Sequence, residues 1–328
     1  MVKAVRIERT GGPEVMQLVD MELPPPGPGE VRLRHTAIGF NFGEIYFRTG
    51  LYPATLPSGL GTEAVGVIET LGEGVDGFAP GDRALYAGAL KGVYLQGAYA
   101  EASNADTGAL LKLPNAIDDW AATSIMKALT VEYLVRRTWA VKPGDTVLAH
   151  AAAGATGAML AQWARHLGAT VIGVVGSQAK VAEAAANGCH DVLVLDAATL
   201  AERVRALTGG RGVDVVYDSV GKDTWTASLD CLRPRGLMVS YGNSSGAVGD
   251  VALGVLAAKG SLYVTRPALS TYMTEPAERA EAIAAVLAVM TSGAVRPPHG
   301  REYRLADVVQ LHRDAEARLL TGTTIIRP

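Results

Sequence analysis

The chain has 328 residues, enough for two domains with separate cores, and its 38 glycines exceed the usual share of about 7 %. A formal charge of −3 leaves no basic surface to neutralise nucleic-acid phosphates, and the longest apolar stretch, 282–290, is far shorter than the roughly 20 residues of a membrane span. Two cysteines, Cys189 and Cys231, cannot form a disulfide framework and suit a reducing cytoplasm, while Lys3 and Arg6 interrupt the first apolar run where a signal peptide needs it intact.

Val2 to Arg9 and Glu30 to Ala37 alternate apolar and polar residues and read as strands, with Pro24-Pro25-Pro26-Gly27-Pro28-Gly29 as the turn between them. Short strands follow at Ala64 to Thr70, Arg83 to Ala87 and Ala98 to Ala102, separated by Gly72-Glu73-Gly74 and Pro80-Gly81-Asp82; together they predict a small, strongly bent barrel. Asp118 or Asp119 then caps a helical run from Trp120 to Arg137.

The most informative stretch is Val147 to Gly157, where an apolar run of β type breaks into small residues and opens a helical pattern. A chain that must reverse without side chains in the way, and then aim helix N–H groups at an anion, needs Gly154, Ala155, Thr156 and Gly157 to be small. The helix runs through Met159 to Leu167 and ends on Gly168, and Ala169 to Ser177 is the second strand of a βαβ unit. A dinucleotide site selective for NAD carries Asp or Glu about twenty residues past the glycine turn. Here Gly176 and Ser177 stand at that place, followed by the cation Lys180, so NADP(H) is favoured.

Strands and helices then alternate: Lys180 to Ala186, Asp191 to Leu195, Leu200 to Leu207, Val213 to Asp218, Thr224 to Leu232 and Leu237 to Tyr241. Such alternation predicts a doubly wound parallel sheet covered on both faces, with ligand groups at the strands' C-terminal ends, among them Ser219, Gly242, Asn243 and Ser244. The tail beyond Pro267 holds a long helix, Pro276 to Thr291, a further helix from Ala306 and a last strand at Gly322 to Ile326. Most of it is expected to return to the first domain, leaving a cleft between the two.

At this point a resemblance can be stated on particular strings. Gly11-Gly12-Pro13-Glu14-Val15, Asn41-Phe42, Tyr46, Gly50-Leu51-Tyr52-Pro53, Gly59 to Ala64, Ala151 to Gly157, Tyr217 to Gly221, Gly242 to Gly246 and Gly260 to Pro267 stand in that order along nearly the whole chain. In these the chain resembles the zeta-crystallin-like NADPH:quinone oxidoreductases, the zinc-independent branch of the medium-chain dehydrogenase/reductase superfamily, and its bacterial members most. It departs at Ala155-Thr156 inside the turn and at Leu195, where related chains carry a tyrosine.

The resemblance implies an α/β fold in which a Rossmann domain, 125–266, is inserted in a GroES-like substrate domain, 1–124 and 267–328. It implies that Asn41, Lys127, Thr130, Gly154, Ser219, Tyr241, Asn243 and Thr265 line the nicotinamide, ribose and pyrophosphate of NADP(H). Gly176, Ser177, Lys180 and Arg318 would surround the 2′-phosphate, with Tyr46 and Tyr52 facing the substrate. The activity implied is hydride or one-electron transfer to a quinone, with Tyr46, Tyr52 and Asn41 as hydrogen-bond donors to the developing hydroquinone oxyanion. A homodimer through the edge strand at 261–265 is expected as well. The alternatives are an NADPH-dependent alkene or enoyl reductase on the same scaffold, and a non-enzymatic crystallin-like or RNA-binding role.

Zinc-dependent relatives need thiolate and imidazole ligands and place Gly-His-Glu where this chain has Gly61-Thr62-Glu63. His35, His166, His190, His299 and His312 are scattered, and His150 ends the strand before the phosphate turn, so no metal is expected.

Overall fold

The computed structural model describes residues 1–91 and 97–328, and the chain divides into two units. The first comprises 1–126, 270–281 and 299–328; the second comprises 127–269 and 282–298. Most of the C-terminal tail thus returns to the first unit, while 282–298 groups with the second.

In the first unit β1 (Val2–Ile7) pairs antiparallel with β2 (Gln17–Met21), so the chain reverses at Gly11 to Val15 and not at the proline-rich segment. The expected hairpin between the first two strands is therefore corrected: an additional strand intervenes. β2 was concealed in the sequence because it is an edge strand whose residues are exposed or half-buried, and such a strand carries no inward apolar alternation. β3 (Glu30–Gly39) is the long central strand; after it come α1 (Gly43–Thr49), β4 (Ser58–Gly59), β5 (Glu63–Leu71), β6 (Arg83–Ala87), β7 (Ala102–Asp106) and β8 (Leu110–Lys112). β3 pairs with both β5 and β7, and register shifts near Arg32 and His35 bend it as bulges do.

The expected strand at Ala98 to Ala102 is also corrected. Ala98, Tyr99 and Ala100 are buried, yet their backbone groups are taken by different partners: Tyr99 N donates to Leu60 O at 2.8 Å, and Tyr99 O accepts from Val5 N at 2.8 Å. The ladder proper starts at Ala102. The core is filled by Val5, Ile7, Val31, Leu33, Ile38, Leu60, Ile68 and Ile326.

The helical run expected from Trp120 to Arg137 is split into α2 (Asp119–Ala122), capped by Asp118, and α3 (Ile125–Tyr133), which passes into a π-helical turn at Leu134–Thr138. The hydroxyls of Thr123 and Ser124 both reach back to the Trp120 carbonyl, at 2.9 and 3.4 Å. Side chains of this kind compete with the backbone for hydrogen bonds and end the helix there.

The second unit continues with β9 (Thr146–His150), α4 (Ala155–His166), β10 (Thr170–Val175), α5 (Val181–Ala186), β11 (Asp191–Val194), α6 (Leu200–Leu207), β12 (Val213–Asp218), α7 (Trp225–Cys231), β13 (Leu232–Ser240), α8 (Gly254–Ala258) and β14 (Tyr263–Thr265). Its strands are parallel in the order β11-β10-β9-β12-β13-β14, which is the Rossmann order. All six residues of β12 are buried, as a strand covered on both faces requires. In the tail α9 (Leu269–Tyr272), α10 (Pro276–Thr291), β15 (His299–Arg304), α11 (Val308–Glu316) and β16 (Thr323–Arg327) follow, and β16 joins β15 to β3. Among the described residues no helix is long and apolar enough to cross a membrane.

Candidate functional site

The turn between β9 and α4 has the shape that the small residues predict. Ala151 takes a positive φ of 53°, Gly154 N donates to Ala151 O at 2.8 Å, and α4 starts immediately after Gly154. At Gly157 an added Cβ would lie 2.3 Å from the Ala151 carbonyl oxygen, so only hydrogen fits. The first turn of the twelve-residue α4 carries no acidic side chain, which leaves its N-terminal N–H groups suited to an anion.

At the end of β10 no carboxylate follows. Gly176 and Ser177 are exposed, an added Cβ at Gly176 would meet nothing within 4 Å, and the Ser177 side chain makes no capping bond. Lys180 is half-buried one turn further on, its N–H bonded to Ser177 O at 3.1 Å. These three residues form one open, acid-free edge suited to a 2′-phosphate. Arg318, read from sequence into the same set, belongs to the first unit and has a φ of 60°. On α3, Lys127 and Thr130 are three residues apart and share a helix face; Lys127 is buried and Thr130 half-buried.

The neighbouring strand ends bring Ser219, Tyr241 and Asn243 together. Tyr241 N donates to Asp218 O at 2.8 Å, Ser244 N donates to Ser219 O at 3.2 Å, and a Cβ at Gly242 would lie 2.4 Å from Ser219 O. Sequence reading missed the group that orders this turn, Asp218. Fully buried, it accepts from Val220 N (2.7 Å), Gly221 N (3.0 Å), Thr224 Oγ1 (2.7 Å) and Ser228 Oγ (2.7 Å). It missed Arg266 too, although that residue lies inside a quoted string. Its Nη1 donates to Ser240 O at 2.8 Å, and in the orientation that pairs donor with acceptor the Asn243 amide accepts from Arg266 Nη2 at 3.0 Å and donates to Gly242 O at 2.9 Å.

In the first unit Asn41 sits between β3 and α1 inside a buried polar network. Glu44, fully buried, accepts from Asn41 N (2.8 Å), Thr62 N (3.1 Å), Thr62 Oγ1 (3.0 Å) and Tyr99 OH (2.8 Å). Burial, and after it the Glu44 charge, hold the Tyr99 phenol well above its ordinary pKa, so it stays a donor. Asn41 Nδ2 donates to Glu63 Oε1 at 3.0 Å and to Thr62 Oγ1 at 3.1 Å. In this arrangement the amide hydrogens of Asn41 are directed at protein acceptors. Tyr46 and Tyr52 meet edge to face at 5.0 Å, flanked by Phe42 and Phe47, with Tyr46 8 % exposed and Tyr52 half-buried.

The donor set does not fit zinc. Burial pushes the thiols of Cys189 and Cys231 up to about 12, and among the described residues no three His, Cys, Asp or Glu side chains converge.

Comparison with known proteins agrees with this geometry. The family described as "Alcohol dehydrogenase GroES-like domain" matches residues 27–115, and that described as "Zinc-binding dehydrogenase" matches 155–285. The chain is 45 % identical to a quinone oxidoreductase of Pseudomonas aeruginosa and 39 % identical to a 2-haloacrylate reductase of a Burkholderia species, covering 100 % of itself in both and 100 % and 99 % of those proteins. The crystal structure of Escherichia coli quinone oxidoreductase complexed with NADPH superposes with a TM-score of 0.93 at 44 % identity, over 99 % of this chain and 100 % of that one.

Proposed function

The chain belongs to the quinone oxidoreductase family of the medium-chain dehydrogenase/reductase superfamily, and from that premise we propose that it is an NADPH:quinone oxidoreductase working without a metal. The observation that carries this reading is the acid-free phosphate turn, in which Gly157 admits only hydrogen and β10 ends in Gly176-Ser177. When bound, NADPH supplies the hydride.

The remaining roles fall to the chain. The N–H groups of Ala155, Thr156 and Gly157 at the start of α4 face the pyrophosphate, and Ser177 and Lys180 take the 2′-phosphate, with Arg318 assigned to it by resemblance. Lys127, Thr130, Ser219, Tyr241, Asn243 and Thr265 orient the nicotinamide riboside. Tyr46 and Tyr52 would donate hydrogen bonds to the quinone oxygen as it gains charge, and solvent would supply the one proton that, with the hydride, completes the hydroquinone. A quinone is electron-poor enough to accept hydride without a Lewis acid, which suits a chain whose donor set does not fit zinc.

The test is a panel with purified protein: 1,4-benzoquinone and 9,10-phenanthrenequinone are expected to turn over with NADPH in preference to NADH. Enones and crotonyl-CoA belong to the same panel, since the 2-haloacrylate reductase relative makes an activated alkene the second acceptor class. Lys180→Ala should raise the NADPH KM by about tenfold and leave the NADH KM almost unchanged, because one charge-assisted contact to the 2′-phosphate is lost. Equal effects on both cofactors would refute the assignment.

The assembly we propose is a homodimer paired through β14, the last strand of the parallel sheet, where Tyr263 is 61 % exposed and Val264 37 %. Light scattering should give about twice the 34.2 kDa chain mass. Tyr263→Pro, which removes a backbone donor, should shift the sample toward monomer. Free, buried cysteines suit a reducing cytoplasm, where we place the protein.

A further inference from the structure

Proton counting around Asn41 determines how its side chain is turned. Tyr99 has one hydroxyl proton and gives it to Glu44 at 2.8 Å; Thr62 has one and gives it to the other Glu44 oxygen at 3.0 Å. Toward Asn41, 3.1 Å away, the Thr62 oxygen can therefore only accept, and Glu63 Oε1 at 3.0 Å is an acceptor as well. The Asn41 amide must present its nitrogen to this pair and its oxygen to the opposite side. Asn41 is half-buried, and among the described residues no donor reaches Oδ1. Glu63 is held in place from behind: it is fully buried, and a Cβ on Gly39 would lie 2.3 Å from its Oε1, so the strand end leaves room for that carboxylate alone.

We propose that Glu63 is a positioning residue that locks the Asn41 amide with its oxygen outward, making Asn41 a hydrogen-bond acceptor for an O–H or N–H donor of the bound ligand. This rests on the reading of the chain as an NADPH-dependent reductase. Two ligands carry such donors: the nicotinamide riboside end of NADPH, with ribose hydroxyls and a carboxamide, and the reduced acceptor, with its phenolic hydroxyls. An oxidised quinone has only acceptors. A fixed amide oxygen therefore favours NADPH over fragments lacking the riboside, or product-like over substrate-like acceptor states. Freed from Glu63, the amide could turn its nitrogen outward and the distinction would fade.

The experiment measures Kd by fluorescence titration for NADPH and for 2′,5′-ADP, which has the phosphate end without the riboside, in wild type, Glu63→Ala, Asn41→Ala and the double variant. Wild type must bind both probes, and failure there would count against the cofactor reading instead of against the role of Glu63. Losing one hydrogen bond to the ligand corresponds to about threefold to tenfold in affinity. Glu63→Ala is expected to weaken NADPH by that factor with 2′,5′-ADP unchanged, and to add nothing once Asn41 is alanine, since the two residues act through one contact. If the donor belongs to the acceptor instead, NADPH Kd stays constant while the quinone kcat/KM and inhibition by hydroquinone change with the same non-additivity. Glu63→Gln retains an acceptor oxygen for Asn41 and should recover most of the loss. Additive losses in the double variant, equal weakening of NADPH and 2′,5′-ADP, or no change in any constant would each overturn the proposal. Should Glu63→Ala not fold, Thr62→Val removes the second acceptor of the Asn41 amide and is read by the same cycle.

Discussion

Replacing Gly157 with valine is expected to remove NADPH binding, with Kd raised at least about a hundredfold when titrated by fluorescence. The added Cβ would lie 2.3 Å from Ala151 O, 2.9 Å from Ala151 C and 3.1 Å from Ala152 Cα, all backbone atoms of the turn itself. No flexible side chain can give way, so α4 must back off from the turn and carry its N-terminal N–H groups out of line. Two charge-assisted hydrogen bonds to phosphate, each about 1.5–3 kcal/mol, correspond to more than about a hundredfold in affinity. Gly249→Ala, at a position where a Cβ meets nothing within 4 Å, is the matched control and should bind normally. Retention of wild-type affinity by Gly157→Val would show that α4 does not carry the phosphate.

Acidification from pH 6.5 toward 4 is expected to lower folding stability by about 3 kcal/mol through His35 alone. Burial drives His35 down to about 4 against the opposing pull of the Ala100 and Ala98 carbonyls. The neutral ring is bonded on both sides, Nδ1 to Ala100 O at 2.7 Å and Nε2 to Ser103 Oγ at 3.0 Å. The unfolded chain takes up a proton near 6.5 and the folded chain does not until about 4, so stability is full above 6.5 and falls steadily between these values. His312, lowered to about 3 by burial with the Arg48 charge adding to it, contributes a decline of its own over the same range and carries it to lower pH. The carboxylate Asp214 does not contribute in this window. Burial opposes its ionisation, but Arg211, Arg233 and the Thr146 N–H outweigh that and hold it at about 2, so its stabilising pairs persist until the pH falls below about 4. Urea midpoints at pH 7 and 4.5 measure the slope, and His35→Gln should remove the His35 share of it and leave the His312 share. A stability unchanged across this range would rule out a neutral, buried His35.

The elements that were legible in the sequence are those with strong local periodicity. α6 and β12 have the bounds their patterns predict, and the β9 turn could be read from the sizes of Gly154 and Gly157. The missed strand β2 shows the limit: paired on one side and exposed on the other, it has no apolar face to announce it. The break at Thr123 was likewise hidden, because Thr and Ser act there through side-chain bonds to Trp120 that residue type alone does not specify.

For the site the division follows chain distance. The acid-free end of β10 and the small residues of the phosphate turn are properties of single positions or short strings, and they point to the cofactor type before any fold is known. Glu44 and Glu63 look in sequence like solvated charges. They become the buried acceptors around Asn41 because the pairing of β3 with β5 brings residues 21 and 22 positions apart into hydrogen-bond range, with Tyr99 added from 55 positions beyond Glu44. Hydrogen-bond partners at such separations are selected by strand register and burial, which no local pattern encodes. The direction of the Asn41 amide is therefore a property of the folded chain alone.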